Sequence, residues 1–140
     1  MRIEFDDNLI TGNEMIDTQH RELISRTNQF LGKLEERPGR VEAIQMLDYL
    51  DEYIEFHFGE EEKLQEEIGY PGLAEHKKKH EELRSTVREL FDMLEEEEGP
   101  SEAFVRQVKV NVVNWLVNHI QGFDRSVAEY RFLADNTERI

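Results

Sequence analysis

Between Leu47 and Ile68 the chain carries an inward helical stripe that two ionisable residues interrupt. Leu47, Leu50, Ile54, His57, Glu61, Leu64 and Ile68 step by alternating threes and fours, the spacing that lines up one face of an amphipathic helix. A second stripe runs Leu73, His76, His80, Leu83, Val87, Leu90 and Leu94. One carboxylate and three imidazoles thus stand where a helix ordinarily places aliphatic side chains. Burying such groups without partners is prohibitive, so the fold must bring a compensating group into its interior, and a metal is the economical candidate.

The other segments suit the same interior. A first helix is expected from about Asp17, its N-cap, with Ile16, His20, Leu23, Thr27, Phe30 and Leu34 inward; Arg37-Pro38-Gly39 ends it because proline cannot continue the backbone ladder. The second helix runs from about Val41 to Glu67 and is broken by Ile68-Gly-Tyr-Pro-Gly72. The third follows from about Leu73 to Glu98, and the fourth from Glu102 to about Phe123 with Ser101 as N-cap. Residues 1–15 read as an N-terminal arm, and residues 125–140 as a short C-terminal helix packed outside the bundle. Long amphipathic segments joined by short loops predict an all-α, antiparallel up-down-up-down four-helix bundle, spanning about 16–123, with 1–140 forming one domain.

Composition removes several alternatives. The formal net charge of -15 argues against binding to nucleic acid or to an anionic membrane surface. Without cysteine there are no disulfides, thiolate zinc sites or iron–sulfur clusters, so any metal must be held by nitrogen and oxygen. The N-terminus lacks the pattern of a secretory signal, and no stretch approaches the roughly 18 apolar residues of a membrane span, which makes a cytoplasmic protein the default expectation. The acid run Glu95–Glu98 reads as a solvated helix end.

All five histidines belong to one constellation: His20, His57 with Glu61, His76 with His80, and His119 with Asp124. Residues four apart on a helix differ by about 40° in direction, so His57 with Glu61, and His76 with His80, each reach one centre. His119 and Asp124 are five apart, about 140° from each other on a regular α-helix. If both bind, the fourth helix must widen into a π-type turn or unwind near Gly122. The bond count indicates the kind of centre. Five imidazoles, two bridging carboxylates and one bridging oxo or hydroxo group leave a pair of octahedral metals one position short, where a small ligand would bind. Mixed imidazole and carboxylate donors suit iron, manganese, zinc or copper rather than calcium or magnesium.

Ile16-Asp-Thr-Gln-His20, His57-Phe-Gly-Glu-Glu61-Glu62, Gly69-Tyr-Pro71 followed by His76 and His80, and Trp115-Leu-Val-Asn-His119-Ile120 resemble the signatures of the hemerythrin family, in its single-domain bacteriohemerythrin form. The resemblance runs from about Phe5 to Asp124. It implies two iron ions with a bridging oxo or hydroxo group. Glu61 and Asp124 would bridge them, His76, His80 and His119 would complete a six-coordinate iron, and His20 and His57 would bind a five-coordinate one. It further implies reversible O2 binding at the open iron as a hydroperoxide, for oxygen storage, delivery (transport) or scavenging, with nitric oxide or small anions as other ligands. Leu23, Phe58, Trp115, Leu116 and Ile120 would line the O2 pocket.

Two other functions use the same cavity: a diiron oxidase, peroxidase or nitric-oxide-reducing enzyme, and an oxygen or redox sensor. Ferritin-like oxidases draw most ligands from glutamates, whereas five histidines with two acids favour binding over turnover. A sensor would ordinarily be fused to a signalling domain. The chain departs from its bacterial relatives at Phe5, where a tryptophan is frequent, and at Gln65, where a methionine is.

Overall fold

A computed structural model describes residues 2–135, and these are helical over most of their length. After a 3-10 turn at Asp7–Leu9 come α1 (Glu14–Glu35), α2 (Arg40–Glu67) and α3 (Leu73–Glu96). The last rod is compound: α4 (Glu102–Val108), a π-helical segment Lys109–Asn114, α5 (Trp115–His119), a second π-helical segment Ile120–Asp124, and α6 (Arg125–Asp135). The backbone remains right-handed helical at Trp115, Ile120 and Arg125, so these pieces form one uninterrupted rod.

Side-chain contacts give the topology. His57 meets Gln19 while Arg26 reaches the Tyr49 carbonyl, so α1 and α2 run antiparallel. Glu62 meets His80 and Glu55 meets Arg84, reversing the chain again between α2 and α3. Gln107 pairs with Glu89 and Trp115 with Glu82, which reverses it a third time. The bundle closes where α1 meets the last rod: Phe30 packs edge-on against Phe104 at one end, and His20 meets Asp124 toward the other. This is the up-down-up-down bundle that the stripes predict.

The inward residues expected from α1 are all buried, as are Leu47, Leu50, Ile54, His57, Glu61 and Leu64 from α2. From α3 the buried set runs from His76 to Leu94, while Ile68 and Leu73 at the turn are half-buried. A long apolar cluster fills most of the interior, from Leu94 and Phe104 to Leu23, Leu116 and Ile120. A smaller cluster of Ile16, Leu64, Val127 and Ala128, with Ile68 and Tyr70 against it, seals the other end. Polar side chains lie between the two.

Three features differ from the sequence reading. α1 starts earlier, at Glu14, because the Asn13 side chain accepts from the Ile16 amide and acts as its N-cap. Asp17 lies inside the helix and is buried, its carboxylate accepting from the Thr11 amide at 2.8 Å, the Thr11 hydroxyl at 2.7 Å and the Gly12 amide at 3.1 Å. Those bonds tie the N-terminal arm to the bundle, at a turn where Gly12 adopts a φ of +90° that disfavours any side chain. The third difference is the C-terminal helix. It exists as α6, but it continues the last rod directly and its Val127 and Ala128 help to seal the site end of the bundle. The rest of the expected C-terminal segment, residues 136–140, lies outside the described residues. Among the described residues no helix is long and apolar enough to cross a membrane.

Asp17→Ala should leave helical content unchanged and lower stability by about 2–3 kcal/mol, the scale of hydrogen bonds lost from a charged acceptor. Urea denaturation measures it, and an unchanged midpoint would mean that the arm is held by other contacts.

Candidate metal centre

Each rod delivers polar groups to the layer between the two clusters: His20 from α1, His57 and Glu61 from α2, His76 and His80 from α3, and His119 and Asp124 from the last rod. All seven are at most 5 % exposed. The five-residue step from His119 to Asp124 is bridged by the π-helical segment Ile120–Asp124, and His119 Nε2 lies 3.1 Å from Asp124 Oδ1. A regular α-helix would turn one of the two away from the interior.

Donor atoms of these residues gather in two groups, each within 4.8 Å, and both groups contain Glu61 and Asp124. The first adds His76, His80 and His119, and the second His20 and His57. In the first group His76 Nε2 lies 2.6 Å from Glu61 Oε1, 3.0 Å from Asp124 Oδ1 and 2.9 Å from His119 Nε2, with His80 Nε2 3.4 Å from Glu61 Oε1. In the second, His20 Nε2 is 2.7 Å from Asp124 Oδ2, and His57 Nε2 is 3.3 Å from Glu61 Oε2 and 3.9 Å from Asp124 Oδ2.

These separations provide a test of fit. Donor atoms about 2.1 Å from a six-coordinate metal stand about 3 Å from their nearest co-ligands, which is the spacing of the first group. Hydrogen bonding accounts for only part of the arrangement, through His20 Nε2 and His76 Nε2 on Asp124. His57 Nε2, His80 Nε2 and both Glu61 oxygens are buried without a hydrogen-bond partner. Glu61 Oε1 is near His76 Nε2 but poorly directed toward it, as expected of atoms that converge on a common centre rather than on each other. Such orphaned groups are rare in a packed interior, and two cations would satisfy them.

Electrostatics agrees. Burial alone would push His57 and His76 down, but Asp124 and Glu61 beside them outweigh it and raise them to about 10 and about 9. Burial and the neighbouring Asp124 charge push the Glu61 carboxyl up, yet His57, His76 and His80 hold it below the ordinary range. Asp124 is likewise held low, with His119, His20 and His57 outweighing its burial.

An outer layer of polar partners, beyond the residues singled out from sequence, holds three rings from behind. His57 Nδ1 faces Gln19 Oε1 at 2.8 Å, His80 Nδ1 faces Glu62 Oε2 at 2.7 Å, and His76 Nδ1 faces Gln65 Nε2 at 3.0 Å. Arg84 braces this layer, binding Glu55 and standing 3.5 Å from Glu62. Gln65 had a legible signal, since it continues the four-residue row from His57 through Glu61. Of the five expected pocket residues, Leu23, Phe58, Leu116 and Ile120 are buried and Trp115 is half-buried. Phe58 lies flat on His80 at 3.8 Å and Trp115 flat on His119 at 4.4 Å, so both aromatics back the three-histidine group directly.

Comparison with known proteins places this geometry in a family. Residues 11–130 match the model of the hemerythrin HHE cation binding domain. The bacteriohemerythrin of Aquifex aeolicus is 33% identical over 118 residues, which cover 84% of this chain and 88% of that protein. The bacteriohemerythrin of Stenotrophomonas maltophilia is 33% identical over 123 residues, covering 88% of this chain and 77% of the relative. The myohemerythrin of Riftia pachyptila is 28% identical over 120 residues and 86% of either chain. By the extent of the family match and the identity of these relatives, the chain belongs to the hemerythrin HHE cation-binding family.

Proposed function

We propose that the chain is a non-haem diiron protein that binds O2 reversibly. The observation that carries this reading is the uneven sharing of donors: two groups have Glu61 and Asp124 in common, one with three histidines and the other with two. On this reading His76, His80 and His119 would hold one iron and His20 and His57 the other, with Glu61 and Asp124, common to both groups, serving both. When bound, the iron pair supplies the electrons and the open coordination position that O2 binding requires. Two carboxylates offset most of the charge of two divalent ions, which makes a buried site tolerable.

The protein's own part is enclosure and orientation. Phe58 and Trp115 fix the planes of His80 and His119 by stacking. Gln19 and Glu62 accept from the outer nitrogens of His57 and His80, which leaves each inner Nε2 free to ligate. Leu23, Leu116 and Ile120 are each 1 % exposed and belong to the apolar cluster; against the metal layer their hydrocarbon would restrict entry of water and anions.

Anaerobic reduction of the iron-loaded protein followed by O2 titration should produce a new visible spectrum that reverts when O2 is removed. An oxidised spectrum persisting after the first exposure would instead indicate oxidase turnover.

Metal uptake should also release protons. His57 and His76, at about 10 and about 9, carry protons at pH 7.5 in the metal-free protein, and a ligating imidazole must surrender one. Affinity should therefore fall by about two powers of ten per unit as pH decreases below 9. Anaerobic calorimetry with ferrous ion in buffers of different ionisation enthalpy counts the protons; a buffer-independent heat would contradict this charge state.

A further inference from the structure

Three histidines of the metal layer have a polar partner behind the ring, and in two of them that partner is an oxygen. Gln19 Oε1 faces His57, and Glu62 Oε2 faces His80. Gln65 is the exception: its Nε2 faces His76 Nδ1 at 3.0 Å, while its Oε1 is buried with no hydrogen-bond partner. The residue is 0 % exposed, and its backbone carbonyl accepts from the Tyr70 amide at the α2–α3 turn. The amide therefore sits at a fixed place beside the ring.

A histidine that ligates through Nε2 carries its proton on Nδ1, and only an acceptor satisfies that N–H. Gln65 Nε2 would oppose it donor to donor. A half-turn of the amide exchanges oxygen for nitrogen at almost no steric cost, because the two atoms are nearly the same size. We propose that Gln65 is a positioning residue for metal binding by His76: in the loaded protein its Oε1 accepts the His76 Nδ1–H, fixing the tautomer and aiming Nε2 at the metal. This rests on the reading of His76 as a ligand. The same metal group then has a carboxylate behind His80 and a neutral amide behind His76. The neutral acceptor makes His76 the weaker electron donor of the two.

The test compares wild type with Gln65→Met, which keeps the volume and leaves only a weakly accepting thioether sulfur, and Gln65→Glu, which restores a strong acceptor and adds charge. Cobalt(II) titration of the metal-free proteins measures affinity, and redox titration of the iron-loaded proteins measures the midpoint potential. Gln65→Met should lower affinity by about ten- to hundredfold. Gln65→Glu should recover it and move the midpoint to more negative values. Wild-type affinity and midpoint in Gln65→Met would overturn the proposal, and so would a Gln65→Glu protein no tighter than Gln65→Met. His76→Ala separates the two levels. If it retains the full metal complement, the ligand reading fails; if it loses metal while Gln65→Met does not, only the role of Gln65 fails.

Discussion

Two carboxylates and five imidazoles share one buried layer of this bundle, and His57 Nε2, His80 Nε2 and both Glu61 oxygens find no hydrogen-bond partner in it. Glu61 accounts for the difficulty most plainly, being fully buried with neither oxygen hydrogen-bonded. Much of the architecture follows from holding that layer. Apolar clusters seal it at both ends, aromatic rings clamp His80 and His119, and the last rod departs from α geometry to turn Asp124 inward. His57 and His76 are raised and Glu61 and Asp124 lowered by one another's proximity, and cations at the same place would take over the positive role.

The last rod illustrates how far sequence reasoning reaches. The five-residue step from His119 to Asp124 predicts a π turn or an unwound stretch, and of the two the π-helical segment Ile120–Asp124 lies there. The first π segment, Lys109–Asn114, was not expected, although its signal is present. Phe104, Val108, Val112, Leu116, Ile120, Asp124 and Ala128 recur every four residues, and all are buried. On a uniform α-helix such a row drifts by about 40° per step and would leave the core well before Ala128. Interspersed π segments wind more slowly per residue and bring the row back. A strict period of four sustained over so many turns is thus itself a π signature, and it also explains why α6 continues the rod.

The rest of the bundle was legible for an ordinary reason: alternating threes and fours identify an inward face whether the residue there is Leu or His. Less legible were groups whose partners are distant in sequence. Asp17 has the composition of an N-cap, but its carboxylate is taken by Thr11 and Gly12 of the arm, and Asn13 caps the helix instead. Glu62 and Gln65 lie beside Glu61 on α2, and their roles depend on His80 and His76 arriving from α3. Spacing within one helix reveals a ligand row, whereas the groups that orient its rings emerge only when helices are packed.

The proposed pair of irons, held unequally by shared carboxylates, is open to Mössbauer spectroscopy of the protein loaded with iron-57, combined with iron and protein analysis of the same sample. Two iron atoms per chain and two quadrupole doublets of equal area are expected, one for each histidine complement. A single iron per chain, or two doublets whose areas vary independently with loading, would contradict a shared Glu61–Asp124 centre.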